Sequence, residues 1–427
     1  MRIAMTTDSF VEGKGGVATA IANLARALHA RGHQVKIFSA RDPSHLQSDL
    51  DVMGVRAFYY QRFPGGRIPI DPQKLVNALA QFKPDIIHNH SMSAMGIQAL
   101  AAGQILDIPI IGTCHVYLAG FLNYSPIPME GIPLAEKIAW QYTAQFFNRF
   151  HYVTTPSETM KEKLIKAGLR RPISTISNGV DTHHFIPPLS FFNLTYHPPT
   201  IIHVGRLGYE KKVDFILKIF NLIAPKFPQT RLLIIGDGPQ KTYLQSLAKD
   251  FGIGTQVEFT GQVSHQQLVH YYQQSDIFVT ASPIETQGLV VLEAMSCGLP
   301  IIGVNAMALT ELIDPGVNGY LIEPGDEQGF SEAIAHLLQS SHLCETMGKA
   351  SRQLALQHNI HIIAEKYEKL YFMVCEKYQP AWFSYPKLTL ALQEVGTKQF
   401  PALLKTIKGS SHFLFKPSLL WGRQRKP

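Results

Sequence analysis

The sequence is poor in cysteine, in charge and in long apolar runs. Four cysteines, Cys114, Cys297, Cys344 and Cys375, are spread over 427 residues. None stands in a C-x-x-C pair or at metal-ligand spacing, which argues against a disulfide scaffold or a zinc module and fits a reduced, cytosolic protein. No stretch reaches the roughly 18 apolar residues of a membrane span. Nor do the first residues read as a secretory leader, because Asp8, Glu12 and Lys14 interrupt the place of its apolar region. Charged residues are only 17% of the chain and hydrophobic ones 45%, a balance that argues against disorder. The expectation is a cytoplasmic protein, either soluble or peripheral on the inner face of the cell membrane.

The length exceeds the roughly 250–300 residues at which single cores stop growing, so two domains are expected. Charge divides the chain similarly. Residues 1–190 carry +5, residues 191–378 carry −5 and residues 379–427 carry +7. In the first part, short apolar runs at residues 2–7, 34–39, 85–88, 109–113 and 152–154 alternate with helical periodicity at 16–30, 71–82, 94–106 and 133–148. Residues 185–199 contain four prolines and read as a linker. The alternation then restarts, with strands at 200–205, 231–236, 257–260, 276–280 and 300–303 and helices at 212–224, 239–251, 265–273 and 288–297. Residues 365–378 read as a late helix. The fold class is therefore α/β, with two doubly wound Rossmann-like domains facing a cleft. Ligands of such sheets sit at the carboxyl ends of the strands.

The residues with chemical potential cluster at those ends. GKGGV at 13–17 opens the first helix, where Gly16 lets a ligand approach backbone N–H groups; an ordinary tight turn reads equally well. Arg206 and Lys211 follow the first strand of the second unit and could neutralise a diphosphate. The bland reading of the pair is two solvated loop charges. Gly236 and Gly238 repeat the strand–glycine–helix pattern, as ligand contact or as a tight turn. Glu285 and Glu293 flank a helix start at Gly288 and Leu289, whose N–H groups favour a phosphate. Glu293 sits among Leu292, Ala294 and Met295, and a carboxylate in apolar company needs a partner or a task. His115 ends another strand, as do His88 and His90. No carboxylate or cysteine completes a metal site beside them.

Taken in order, GKGGV at 13–17, HNHS at 88–91, GTCH at 112–115, TPSE at 155–158, SNGVD at 177–181, VGRLGYEKK at 204–212, GDGP at 236–239 and the E-x7-E segment from Glu285 to Glu293 resemble the retaining glycosyltransferases of family 4, which have the GT-B fold. The resemblance implies that Arg206 and Lys211 hold a donor diphosphate, with Gly16 approaching it from the other domain. It implies that Glu285 contacts the donor sugar, with Gly288 and Leu289 offering N–H groups. Glu293 would contact the ribose and His115 would lie by the transferred sugar. No bound metal and no tightly bound cofactor are implied, only a nucleotide-sugar donor. IPIIGTCHVYLAGFLNY at 108–124 is similar to the 1,2-diacylglycerol glucosyltransferases, which implies UDP-glucose as donor and a lipid acceptor. One departure stands out: many members have paired glycines where this chain has Asn305, Ala306, Met307 and Ala308.

The segment 379–427 lies outside the resemblance. It mixes Trp382, Phe383, Tyr385, Phe400, Phe413, Phe415 and Trp421 with eight basic residues. Each basic residue near an anionic bilayer adds about 1 kcal/mol, so the tail could lie on a membrane. A disordered tail or one wrapped round the body reads from the same composition; no nucleic-acid motif is present. Rival readings are transfer to a lipopolysaccharide core or to phosphatidylinositol, a nucleotide-sugar epimerase, and a binding protein without turnover.

Overall fold

The computed structural model describes residues 1–8, 10–11, 15–40, 49–59, 67–118, 120, 132–188 and 198–379. Gly13, Lys14, most of the expected linker and nearly all of the basic aromatic tail lie outside the described residues.

The first unit runs β1 (Arg2–Thr7), α1 (Gly16–Ala30), β2 (Gln34–Ala40), β3 (Val52–Val55), β4 (Ala57–Tyr59), β5 (Arg67–Pro69), α2 (Pro72–Phe82), β6 (Ile86–Asn89), α3 (Ala94–Leu106), β7 (Ile110–Thr113), α4 (Pro133–Phe147), β8 (Tyr152–Thr155), α5 (Glu158–Lys166) and β9 (Ile173–Thr175). Seven of its strands form a sheet ordered β3-β2-β1-β6-β7-β8-β9, and β4 and β5 pair separately. The second unit runs β10 (Thr200–Val204), α6 (Val213–Ile223), β11 (Arg231–Ile235), α7 (Lys241–Asp250), β12 (Val257–Gly261), α8 (His265–Gln273), β13 (Ile277–Thr280), α9 (Leu289–Ser296), β14 (Ile301–Val304), α10 (Leu309–Leu312), β15 (Gly319–Ile322), α11 (Glu327–Leu338), α12 (Ser341–Leu356) and α13 (Ile360–Lys377). Its sheet is ordered β12-β11-β10-β13-β14-β15. All neighbours in both large sheets are parallel. The order reverses beside β1 in one sheet and beside β10 in the other, which opens a crevice at each reversal.

The buried-on-both-faces reading of the strands holds in the packing. Ala4 faces α2 and α3, whereas Ile3 and Met5 face α1 on the other side. Helices α3, α4 and α5 all pack with Ala4's face of the sheet. That leaves Ile86 and Ile111 without a cover from the first unit beyond α1. The cover comes from the end of the chain. Ile360, Ile363, Ala364, Tyr367, Leu370, Tyr371 and Val374 of α13 join the core that contains Ile3, Ile86 and Ile111. The sequence reading placed residues 191–378 in the second unit. The last helix instead belongs by packing to the first, because its apolar stripe completes a face the first unit cannot cover alone.

The chain crosses between the units twice, side by side. The Val180 amide donates to His358 O at 2.9 Å and the Ile360 amide to Val180 O at 3.0 Å. Gly179 has φ +76, and a Cβ there would lie 2.7 Å from Ile360 Cδ1, so glycine is required at the crossing. The expected linker over 185–199 starts too early: Phe185 is fully buried in the second core and edge-on to Tyr272. Among the described residues no helix is long and apolar enough to cross a membrane.

Ile363→Ala should cost the first domain about 2–5 kcal/mol. Hydrogen exchange over α1 is the check: its amides should lose protection in the variant, and unchanged protection would mean that α13 is not part of that core.

Candidate active site

The carboxyl ends of β10, β11 and β13 form one side of the site. The loop after β10 and the loop after β11 are pressed together. A Cβ on Gly236, whose φ is +137, would lie 1.9 Å from Gly205 O, and one on Gly238 would lie 2.5 Å from Leu207 O. This backbone contact by itself demands both glycines. It also holds the segment 205–211 close to the strand ends. Arg206 Nη2 donates to Glu210 Oε1 at 2.6 Å, across one turn, and Glu210 is buried. The ammonium of Lys211 donates to Glu285. The two residues expected to serve the diphosphate and the sugar are thus paired with each other. Sequence reasoning missed Glu210, although its i, i+4 spacing from Arg206 was available.

Gly288 stands immediately before α9 with φ +80, a conformation that favours glycine, and its carbonyl accepts from Val291 and Leu292. Glu285 is nearly buried in the loop before it, and its carbonyl accepts from the Ala308 amide at 3.1 Å. That contact brings in the divergent loop. Met307 has φ +49, in the region that favours glycine, and it packs against the first core. The backbone shape therefore asks for glycine where this chain has a methionine, and the side chain gained spans the two domains.

Glu293 turns inward. Its Oε2 lies 3.1 Å from the Tyr272 hydroxyl, which also lies 3.2 Å from Val290 O. A phenol has one hydrogen for these two acceptors, so both contacts are filled only when the carboxyl itself is protonated and donates. Burial pushes Glu293 up to about 8, against the opposing effect of the Tyr272 hydrogen bond. Tyr272 and its role were not legible in the sequence.

The first domain closes the site from the other side. A Cβ on Gly16 would meet Leu289 Cδ1 at 3.8 Å, so the first turn of α1 faces the first turn of α9. Thr286 donates to His115 O at 2.8 Å. Gln287 is buried and uses its whole amide across the interface: Oε1 accepts from Asn178 N at 2.8 Å and Nε2 donates to Ser177 Oγ at 2.5 Å. Glu311 of α10 accepts from the Glu158 and Thr159 amides at the start of α5, at 2.9 and 2.7 Å. His115 is buried, and burial brings it down to about 4. His203, the fourth residue of β10, is likewise brought to about 4 by burial, with Nδ1 3.0 Å from Val279 O. Both rings are neutral near pH 7. The structure thus brings together Gly16, His115, Arg206, Lys211, Gly236, Gly238, Glu285, Gly288 and Leu289 around one cleft. Glu293 stands apart, with its carboxyl committed to the interior.

Unfolded, a glutamate ionises near 4.5, whereas folded Glu293 keeps its proton to about 8. The folded state binds the extra proton between those values, so its stability falls as pH rises through that window. Glu293→Gln cannot ionise. Its stability relative to the unmutated protein should therefore climb between about pH 5 and pH 8, by about 3–4 kcal/mol. Urea unfolding at the two pH values measures this; a difference independent of pH overturns the buried neutral carboxyl.

Residues 14–184 match the family model described as Glycosyltransferase Family 4, and residues 191–354 match that described as Glycosyl transferases group 1. The sulfoquinovosyl transferase of Arabidopsis thaliana is 31% identical over 78% of this chain, and the match spans 65% of that relative's length. The alpha-monoglucosyldiacylglycerol synthase of Acholeplasma laidlawii is 24% identical over 88% of this chain and 98% of its own. Among solved structures, Anabaena HepE in complex with UDP-glucose superposes with a TM-score of 0.70 at 21% identity, over 87% of this chain and 99% of that one. That likeness shows the two-domain GT-B fold. With both halves matched in order and a cleft between two parallel-sheet domains, the chain belongs to the family 4 glycosyltransferases and is a glycosyltransferase.

Proposed function

We propose that the enzyme moves a glucosyl group from UDP-glucose to a membrane lipid such as diacylglycerol, with retention, giving an α-linked glycolipid. The observation that carries the donor half is the meeting of two helix starts, α1 at Gly16 and α9 at Leu289, with Lys211 and Arg206 beside them. A diphosphate between these ends receives N–H groups of Gly288 and Leu289 and two cations, so the electrostatic work needs only groups of this chain. Lys211 would exchange Glu285 for phosphate, which releases the Glu285 carboxylate to accept from a sugar hydroxyl. Gly236 and Gly238 keep the loop beneath the donor close. Glu293, expected at the ribose, stays with Tyr272 in the interior and has no donor contact in this reading, and His115 lies by the transferred sugar. Attack on the face from which the diphosphate leaves retains configuration without a protein nucleophile. The HepE complex supports a uridine nucleotide as donor.

The lipid half rests on α4. Leu134, Ile138 and Tyr142 are 65%, 55% and 49% exposed at strict i, i+4 spacing, so one apolar stripe faces outward. Lys137 and Arg149 are exposed on the same helix and just past its end. Two contacts tie this helix to the site: Tyr117, two residues after His115, donates to Glu136 at 2.5 Å and stacks on Trp140 at 5.1 Å. A bilayer against α4 would therefore deliver a lipid hydroxyl near the His115 loop. The name of the Acholeplasma relative supports diacylglycerol chemistry. A protein so placed is peripheral on the cytoplasmic face.

Mixed vesicles containing diacylglycerol, offered UDP-glucose, UDP-galactose and GDP-mannose in turn, should show lipid glucosylation with the first. Lys211→Ala and Glu285→Ala should each lower kcat/KM by about 100-fold or more. No product on any diacylglycerol vesicle removes this acceptor; a changed free sugar formed without acceptor would mark an epimerase.

Leu134→Glu with Ile138→Glu should cut cosedimentation with anionic vesicles about 10-fold or more while leaving the thermal shift by UDP unchanged. Undiminished cosedimentation would mean that another surface meets the membrane.

A further inference from the structure

The Lys211–Glu285 pair has a neighbour with an unused lone pair. His203 is buried in β10, two residues before Gly205 and the loop that carries Arg206 and Lys211. Its Nδ1 lies 3.0 Å from Val279 O on the adjacent strand β13. A carbonyl oxygen can only accept, so Nδ1 carries a hydrogen. The ring is neutral and has no second one, which leaves Nε2 a bare acceptor. That nitrogen is buried with no hydrogen-bond partner. The contact with Val279 O alone selects this tautomer.

Gly205 shows what Nε2 faces. A Cβ on Gly205 would lie 3.5 Å from His203 Nε2, 3.8 Å from Lys211 Cε and 3.9 Å from Lys211 Cδ, with no atom closer. The lone pair and the end of the lysine stem thus border one small gap, which glycine leaves open. A buried acceptor without a partner is costly, and it calls for a state in which the partner arrives. Unliganded, the Lys211 ammonium donates to Glu285. An ammonium has three hydrogens. When a phosphate takes the place of Glu285, the hydrogens not aimed at the phosphate need an acceptor on the protein side. His203 Nε2 is the buried acceptor beside that stem. Being neutral, it leaves Lys211 its full charge, whereas a second carboxylate there would compete with the phosphate for it.

We propose that His203 is a positioning residue: its Nε2 accepts from the Lys211 ammonium once the donor diphosphate has drawn Lys211 off Glu285, and so holds that charge against the leaving phosphate. The proposal rests on the donor reading above.

Long-range proton–nitrogen correlation spectra of the histidine-labelled protein, with His203 assigned through His203→Gln, should show a protonated Nδ1 and a bare Nε2. Saturation with UDP should move the Nε2 resonance upfield, as a lone pair entering a hydrogen bond does, and should leave it in place in Lys211→Ala. Two substitutions separate the nitrogens. His203→Asn keeps a donor near Nδ1 for Val279 O and loses the acceptor; His203→Gln keeps an acceptor near Nε2 and loses the Val279 contact. His203→Asn should lower kcat with UDP-glucose about 10-fold with donor KM within about 3-fold, and His203→Gln should retain most of the turnover. A role confined to the packing of β10 predicts the opposite order. Should either variant fail to fold, the spectrum of the unmutated protein decides alone. An Nε2 resonance unmoved by UDP while UDP still raises the melting temperature overturns the proposal, as does a loss in His203→Gln equal to or greater than that in His203→Asn. No thermal response to UDP overturns the donor reading on which the proposal stands.

Discussion

The packing of α13 on the first sheet is the constraint on which the rest depends. A parallel sheet must be covered on both faces, and right-handed crossovers place α3, α4 and α5 on one of them. The exposed part of the other face is closed by a helix made last. Because that helix is tied covalently to the second domain through Asn359, covering the sheet also fixes where the second domain can stand. The registration of α9 against α1, and of Gln287 against Asn178, follows from it.

Within that frame the site stores its charge in pairs. Lys211 with Glu285 and Arg206 with Glu210 each cancel locally, at the ends of strands and partly out of water. Burying a cation alone in such a place is costly, and a carboxylate partner removes most of that cost. The same pairing makes the cations exchangeable: a phosphate offers what the carboxylates offer, and more charge. Gln287, by contrast, is uncharged and fully satisfied, which suits a residue that joins domains rather than one that changes partners.

Much of this was legible in the sequence. Helices α1, α3 and α8 fall where the periodicity places them, since each is a clean amphipathic or apolar run with a clear stop. Strands β3, β9 and β15 were not read, because runs of only three or four residues are too short to show a period. The strand-end residues were found by position, yet their partners were not. Nothing local links Lys211 to Glu285 or His203 to Val279; proximity comes from sheet order. Phe185 was read as linker on the strength of the prolines after it, and its burial against Tyr272 comes from the packing of the second domain rather than from anything local. Glu293 was the reverse case: its apolar neighbours announced an interior carboxyl, and the interior partner proved to be a tyrosine 21 residues earlier.

The paired crossing at Val180 and Asn359 makes the second domain an insertion within the first. A chain of this design cannot mature in order of synthesis. The first sheet leaves the ribosome early with one face incomplete, and the inserted domain, whose core draws on residues from Val180 to Ala355 with Ala20 of α1 added from the first, can close before the helix that finishes the first has emerged. The first-made half is thus the last to become native, and its waiting apolar face is the surface a chaperone would have to shield.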